Sequence, residues 1–171
     1  RVQESQGMNQ RLEAYLQLAR LSILPTVWSN VLVGAAIGSL VIPPPITPPI
    51  IIPPEYHNHF HTIDFTITLI ALLALSLLYV GGMAQNDLCD LHIDSQERSD
   101  RPLPSGRLSL FEVRLFTAMT LGLGTLLIVT ITPHAIIPTL ALLLSITLYN
   151  LLHKKWNGSL IFMGLCRALV Y

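Results

Sequence analysis

Three aspartates with helical spacing are the residues of this sequence best suited to chemistry. Asp87, Asp90 and Asp94 follow one another at intervals of three and four residues, so on an α-helix, which turns by about 100° per residue, they share one face. Carboxylates this close repel one another unless a cation lies among them. Mg²⁺ is the natural occupant, because this hard ion is usually shared between a few carboxylates and substrate phosphates. Asn86 precedes the aspartates and can add an amide oxygen.

The aspartates have a second interpretation, a solvated acidic loop whose charge is balanced by nearby arginines. Arg98 is one such arginine, and it returns to the aspartate face if the helix continues that far. The position of the aspartates, directly after a long apolar segment, favours a functional role. Ionisable groups at the mouth of a membrane helix bundle are usually retained for function.

The elements that position the aspartates are predicted to be membrane-spanning helices. Only 12% of the 171 residues are charged, whereas soluble domains carry about a quarter. A helix needs about 20 apolar residues to cross the bilayer, which predicts an all-α, polytopic transmembrane helical bundle. Four segments are long enough, and a fifth is cut short by the end of the sequence, so the chain is expected to be a fragment. The predicted spans are 21–42, 62–84, 110–131, 135–152 and the incomplete 159–171, with a motif loop at 85–109.

The distribution of basic residues predicts the orientation of these spans. Lys and Arg accumulate in the cytoplasmic loops of membrane proteins, and here they alternate strictly: none lies in 43–61 or in the 132–134 turn. The N-terminus and the motif loop are therefore predicted to be cytoplasmic. The formal net charge is zero, which predicts no nucleic-acid partner. The basic residues are Arg1, Arg11 and Arg20; Arg98, Arg101, Arg107 and Arg114; and Lys154, Lys155 and Arg167.

The residues around the aspartates form a longer motif. Asn86-Asp-x-x-Asp-x-x-x-Asp94 is followed by Glu97-Arg98 and by Arg101-Pro-Leu-Pro-Ser-Gly-Arg-Leu-Ser109. This pattern, placed between the second and third spans, resembles the first aspartate-rich motif of the UbiA superfamily of intramembrane prenyltransferases. The Arg-Pro-Leu-Pro-Ser-Gly segment resembles the branch that holds chlorophyll synthases, archaeal digeranylgeranylglycerol-phosphate synthases and EboC proteins. The flanking Gly-Gly-Met and Glu-Arg are most similar to EboC.

The resemblance implies a fold and a reaction. It implies nine spans in which two aspartate-rich motifs face each other across a cavity that opens to the cytoplasm. Mg²⁺ would bridge the motifs to a prenyl diphosphate, the diphosphate would leave, and an acceptor that the sequence does not identify would attack the allylic carbocation. The second motif is absent from this sequence, so the resemblance covers roughly the first half of the family fold. The fragment alone is expected to be inactive.

Individual residues acquire roles from the same resemblance. Asp87, Asp90 and Asp94 would be catalytic, and with Asn86 they would hold the metal. Basic and polar side chains would bind the diphosphate through charge-assisted hydrogen bonds; these are Arg20, Asn30, Arg98, Lys154 and Lys155. Structural alternatives exist for several of them: interfacial snorkelling for Arg20, helix packing for Asn30, and positive-inside anchoring for the two lysines. Arg101 and Gly106 are interpreted as residues that shape the loop.

Two other functions are compatible with a polytopic membrane protein. One is a non-catalytic homologue that acts as a scaffold or carries an isoprenoid-linked precursor; it predicts that loss of the Asp87 carboxylate is harmless. The other is a small transporter or channel with the aspartates as its cation site. Transport sites usually lie near the middle of the bilayer, whereas these aspartates lie at its predicted cytoplasmic edge. Neither function accounts for the Arg-Pro-Leu-Pro-Ser-Gly segment.

Overall fold

The computed structural model describes residues 2–40, 65–154 and 156–170. Arg1, the proline-rich stretch within 41–64, Lys155 and Tyr171 lie outside the described residues. The described part is helical and contains no strand. Its helices, in chain order, are α1 (Val2–Ala19), α2 (Leu24–Leu40), α3 (Phe65–Cys89), α4 (Leu91–Glu97), α5 (Leu110–Ile131), α6 (Ile136–Leu152) and α7 (Leu160–Ala168).

Four stretches of helix are long and apolar enough to cross a membrane, which confirms the predicted all-α bundle. They are Leu21–Gly38, Phe65–Cys89, Leu110–Ile131 and Pro133–Leu152. Large apolar side chains on their outer faces are exposed, as lipid-facing residues are expected to be; Phe65, Phe111 and Ile137 are all at least 75% exposed. Within the predicted fifth segment, the structure forms the short helix α7.

The predicted motif loop differs from the structure, because residues 85–109 are helical as far as Glu97. Helix α3 has 25 residues, so at about 1.5 Å per residue it is longer than the hydrocarbon core and its last turns reach the interface. The backbone ladder continues across the junction with α4, where Asp90 N donates to Asn86 O at 2.9 Å and Asp94 N donates to Asp90 O at 2.8 Å. The aspartates therefore follow a nearly continuous helical path.

Helices α3 and α5 form the most extensive helix pair, and two glycines let them approach. A Cβ atom added to Gly81 would lie 2.7 Å from Thr120 Oγ1, and one added to Gly124 would lie 2.9 Å from the carbonyl oxygen of Ala74. Small residues at such crossings allow membrane helices to pack backbone to backbone. The close packing of α3 against α5 holds the end of α3, which carries Asp87, in place.

A small apolar core covers the ends of these helices that lie nearest the aspartates. It joins the second half of α1, the end of α3, the segment after α4 and the start of α5, and it consists of Ala14, Leu18, Ala84, Leu103, Leu108 and Val113. Ser109 caps α5: Glu112 N donates to Ser109 Oγ at 3.2 Å, and Ser109 N donates to Glu112 Oε2 at 2.8 Å. This reciprocal pair is a capping box, and it anchors the segment 98–109 beside the aspartates.

Candidate functional site

Asp87 and Asp94 are buried and share one arginine. Asp87 is 5% exposed and Asp94 is 2% exposed. Arg101 Nη1 donates to Asp87 Oδ1 at 3.3 Å and to Asp94 Oδ2 at 2.5 Å. Arg20 Nη2 donates to Asp87 Oδ1 at 2.8 Å. The two carboxylates therefore converge on a single guanidinium nitrogen, and their charges are compensated from α1 and from the segment after α4.

Asp90 belongs to a second group, which faces α6. Its carboxylate accepts a hydrogen bond from the side-chain amide of Asn86 at 3.1 Å. Lys154 Nζ lies 3.3 Å from Asp90 Oδ1, and His153 Nε2 lies 3.4 Å from Asp90 Oδ2. The aromatic ring of Tyr149 stacks on the His153 imidazole with ring centroids 5.3 Å apart. The end of α6 thus supplies the positive charge for the middle aspartate.

The backbone at Arg20 directs this side chain toward Asp87. Arg20 is the residue between α1 and the turn before α2, and its φ and ψ angles of 46° and 49° lie in the left-handed region. A non-glycine residue in this region is strained and persists where surrounding contacts hold it, often at functional sites. Here the ion pair with Asp87 is such a contact.

Hydrogen bonds between polar side chains join α3 to α6, about one helical turn before the residues of the Asp90 group in the chain. Asn150 Nδ2 donates to the carbonyl oxygen of Gly82 and to Gln85 Oε1, both at 3.1 Å. Gln85 Nε2 donates in turn to Thr147 Oγ1 at 3.3 Å. Because Asn150 is only three and four residues before His153 and Lys154, this link sets the position from which the basic residues reach Asp90.

Two cavities adjoin α3, and they differ in chemistry. The polar cavity, of about 420 Å³, is lined by three arginines, two aspartates and two other residues: Gln17, Arg20, Asp87, Asp100, Arg101, Pro102 and Arg107. The apolar chamber, of about 320 Å³, lies between α2, α3, α6 and α7, and Leu75, Leu142 and Ile146 contribute to its lining. A charged region and an apolar region therefore lie side by side along one helix.

The remaining predicted site residues fall in different places. Asn30 lines the apolar chamber and is absent from the lining of the polar cavity. Arg98 ends α4: its backbone N–H donates to the carbonyl oxygen of Asp94 at 2.8 Å, while its exposed side chain forms no ion pair within the described residues. Lys155 lies outside the described residues. The structure thus brings Arg20 and Lys154 to the aspartates, places Asn30 on the apolar chamber, and leaves the Arg98 side chain without an ion pair among the described residues.

The donor atoms of this site suit a hard divalent ion, and their present partners are cations. Carboxylate oxygens are the ligands that Mg²⁺ prefers. Within the described residues, however, no three acidic, histidine or cysteine side chains are arranged to hold one ion together. The position that both Asp87 and Asp94 could share is the one that Arg101 Nη1 occupies. The residues fit Mg²⁺ by donor type and charge, provided that the guanidinium moves to another anion.

Comparison with known protein families assigns most of the chain to one family. A sequence profile of the UbiA prenyltransferase family matches residues 56–171, which is well over half of the chain. The chain belongs to the UbiA prenyltransferase family. The resemblance drawn from the aspartate-rich motif is thereby confirmed.

Individual UbiA-family relatives extend the similarity beyond the motif. Digeranylgeranylglyceryl phosphate synthase of Methanocaldococcus jannaschii is 29% identical over 148 residues, which cover 86% of this chain and 45% of that protein. The protein of the same name from Methanosarcina barkeri is 44% identical over 66 residues, which cover 39% of this chain and 23% of that protein. A solved structure of digeranylgeranylglyceryl phosphate synthase superposes with a TM-score of 0.75 at 26% identity, and the match covers 94% of this chain and 50% of that one. The chain spans half or less of the length of these relatives.

Arg101 and His153 are the contributors to this UbiA-family site that sequence reasoning missed. Arg101 lies seven residues after Asp94 and was interpreted only as a loop-shaping residue, yet it contacts two of the three aspartates. A signal was present, since Arg101 opens the Arg-Pro-Leu-Pro-Ser-Gly segment of the motif. His153 directly precedes the lysine pair that was predicted to bind substrate, but its contact with Asp90 depends on how α6 packs.

Replacing Arg101 with Gln should lower the free energy of unfolding by roughly 3 kcal/mol, the lower end of the cost of breaking a buried ion pair. The substitution leaves Asp94 buried without its charge partner, whereas Asp87 keeps Arg20. The midpoint of thermal unfolding in detergent measures the effect. Arg98→Gln is the matched control, because Arg98 is exposed and comes three residues earlier in the same segment. Equal midpoints for the two variants would show that the Arg101 ion pairs do not stabilise the fold.

Proposed function

We propose that the protein to which this chain belongs transfers an isoprenoid group from a prenyl diphosphate to an acceptor within the membrane. The observation that supports it most is the pairing of the two cavities along α3. One is polar, with Arg20 and Arg101 in its lining beside Asp87; the other is apolar and lies among helices that cross the membrane. A prenyl diphosphate has the same division, with an anionic head and a hydrocarbon chain, so its two parts match the two cavities.

The charge balance of the site supports a requirement for Mg²⁺. Among the described residues, the three aspartates are matched by three cationic partners: Arg20, Arg101 and Lys154. A diphosphate adds several negative charges to this balanced cluster, and a buried excess of charge is costly. Asn86, Asp87, Asp90 and Asp94 would hold Mg²⁺, which when bound would neutralise the departing diphosphate and orient it.

The basic residues are proposed to bind the diphosphate, because each of them can replace its present carboxylate partner with a phosphate oxygen. Arg20 and Arg101 approach from the side of α1 and Lys154 from the side of α6, so they can hold the diphosphate from two directions. Arginine matches phosphate oxygens with two parallel N–H donors. Movement of Arg101 onto the diphosphate would also free the position between Asp87 and Asp94.

The names of the relatives suggest the acceptor class. Their product, digeranylgeranylglyceryl phosphate, carries two geranylgeranyl groups, so a transfer that ends there starts from a glyceryl phosphate that carries one. We infer the same acceptor class here. The bond between the allylic carbon and the diphosphate oxygen breaks, with the electron pair leaving on the diphosphate. A new bond forms between that carbon and a glyceryl hydroxyl oxygen, and the hydroxyl proton is released.

A reconstituted assay tests this function. The intact protein, in vesicles of neutral phosphatidylcholine, is supplied with geranylgeranyl diphosphate, geranylgeranylglyceryl phosphate and Mg²⁺. We expect digeranylgeranylglyceryl phosphate and free diphosphate in equal amounts, and we expect chelation of divalent cations by EDTA to stop both. Mass spectrometry of the lipid and a diphosphate assay measure them separately.

The possible failures of this assay have different meanings. Undiminished transfer in EDTA would rule out the metal requirement. Diphosphate release that depends on a different acceptor would keep the transferase and reject the glyceryl phosphate. An intact protein that releases no diphosphate from any prenyl donor would favour the non-catalytic alternative, a scaffold or a carrier of isoprenoid-linked precursors.

A further inference from the structure

Among the described residues, Arg107 differs from the cations that pair with the aspartates, because its side chain has no carboxylate partner. Arg20, Arg101 and Lys154 each lie within ion-pair distance of an aspartate. Among the described residues, Arg107 forms no such pair; its Nε donates to Ser105 Oγ at 3.0 Å and its Nη2 to the carbonyl oxygen of Asp100 at 2.5 Å. Two neutral acceptors thus orient the guanidinium, and no carboxylate within the described ranges lies at ion-pair distance from it.

Arg107 lies where its charge can contact an anion bound in the polar cavity. Arg107 lines the polar cavity together with Arg20 and Arg101, whereas Lys154 is absent from that lining. The cavity, at about 420 Å³, has room for more than one phosphoryl group, since a water molecule takes about 30 Å³. Asp100 is the one carboxylate on this side of the cavity besides Asp87, and its main-chain oxygen, not its carboxylate, contacts Arg107.

We propose that Arg107 binds the phosphate of the acceptor and thereby selects phosphorylated acceptors over neutral ones. The inference rests on the proposed transfer to a glyceryl phosphate, which requires the site to hold two anionic groups at once. Arg20, Arg101 and Lys154 surround the aspartates and serve the donor diphosphate. Arg107, held on the segment after α4, serves the second anion. A rigidly held guanidinium loses little conformational freedom when it binds a phosphate, which strengthens the contact.

The test removes the two partners of this contact separately and together. Arg107→Gln and wild type are assayed as intact proteins in phosphatidylcholine vesicles, with geranylgeranylglyceryl phosphate or with unphosphorylated geranylgeranylglycerol as acceptor. For the phosphorylated acceptor, KM should rise about 10- to 100-fold in the variant, the effect of losing a charge-assisted hydrogen bond. For the neutral acceptor, the KM of the two proteins should agree within about twofold, and Arg107→Lys should recover part of the loss.

Controls separate recognition from damage to the loop. Arg114→Gln, which removes an exposed arginine on α5, should leave both acceptors unaffected, and the KM for geranylgeranyl diphosphate should be unchanged in every variant. An equal loss with both acceptors, or a rise in the KM of the donor alone, would overturn the inference. Failure of the wild-type protein to transfer at all would instead reject the proposed function, so the two ideas fail in distinguishable ways.

Discussion

Replacing Asp87 with Asn should reduce kcat/KM for prenyl transfer by at least about a hundredfold, the usual cost of losing a charged group that acts on the transition state. Asp87 is the carboxylate on which two arginines converge, at 2.8 Å from Arg20 and 3.3 Å from Arg101. Asn has the same shape but neither the charge nor the full affinity for a hard cation. We expect kcat to fall and the Mg²⁺ concentration for half-maximal activity to rise, because the Asp87 carboxylate is lost as a metal ligand. The two arginines remain available to the donor diphosphate.

A second aspartate on the same cavity provides the control for this variant. Asp100 is exposed, lines the polar cavity and contacts Arg107 only through its main-chain oxygen. Asp100→Asn therefore makes the same chemical change without touching the buried cluster, and its activity should stay within about threefold of wild type, as is usual for exposed positions away from such features. The assignment of Asp87 would have to be abandoned if both variants retained similar activity.

Replacing Gly124 with Val should destabilise the bundle by about 1–3 kcal/mol or more, the range for overpacking a tight interface. The added Cβ would lie 2.9 Å from the backbone oxygen of Ala74 and 2.9 Å from Leu78 Cγ, so α5 must move away from α3. The shift separates the helix that carries Asp87 from the helix that follows the motif segment. Activity should therefore decline together with the midpoint of thermal unfolding in detergent.

Gly122 offers a control two residues away on the same helix. It is exposed, and a Cβ added there would meet no atom within 4 Å. Gly122→Val carries the same cost in helix propensity, because the substitution is identical, but it creates no clash with α3. We expect its unfolding midpoint to be close to that of wild type. If the two valine variants unfold at the same temperature, close packing at Gly124 is not a source of stability.

Local sequence patterns were sufficient for the long apolar helices of this protein, but not for α1 or α4. Continuous apolar length predicted the spans, and the observed helix Leu110–Ile131 has the predicted bounds. The Ser109–Glu112 capping box was readable because it depends only on residues three positions apart. The spacing of Asp87, Asp90 and Asp94 predicted that they share one helix face. The backbone hydrogen bonds between α3 and α4 keep the three on a helical path, but Asp90 has different side-chain partners from Asp87 and Asp94.

Only some of the ion-pair partners of the aspartates could be predicted from the sequence. Arg20 and Lys154 were identified through a family resemblance, whereas Arg98 was chosen because an ideal helix would return it to the aspartate face. The helix ends at Glu97 instead, so the chain turns and Arg101 takes the place predicted for Arg98. A single turn after α4 thus changed which arginine reaches the carboxylates, and no periodicity argument extends past the end of a helix.

The sequence by itself determined the membrane class, the long apolar helices and the acidic residues proposed for the site, because each of these depends on composition or on spacing along the chain. Only the tertiary structure decided that the three aspartates divide into two groups, with Asp87 and Asp94 on Arg101 and Asp90 facing α6. It also decided that Arg107 faces the polar cavity without a carboxylate partner among the described residues. The physical reason is that these contacts depend on how the chain turns after α4 and on how the helices pack at Gly81, Gly124 and Asn150, and the spacing of residues along the chain encodes neither.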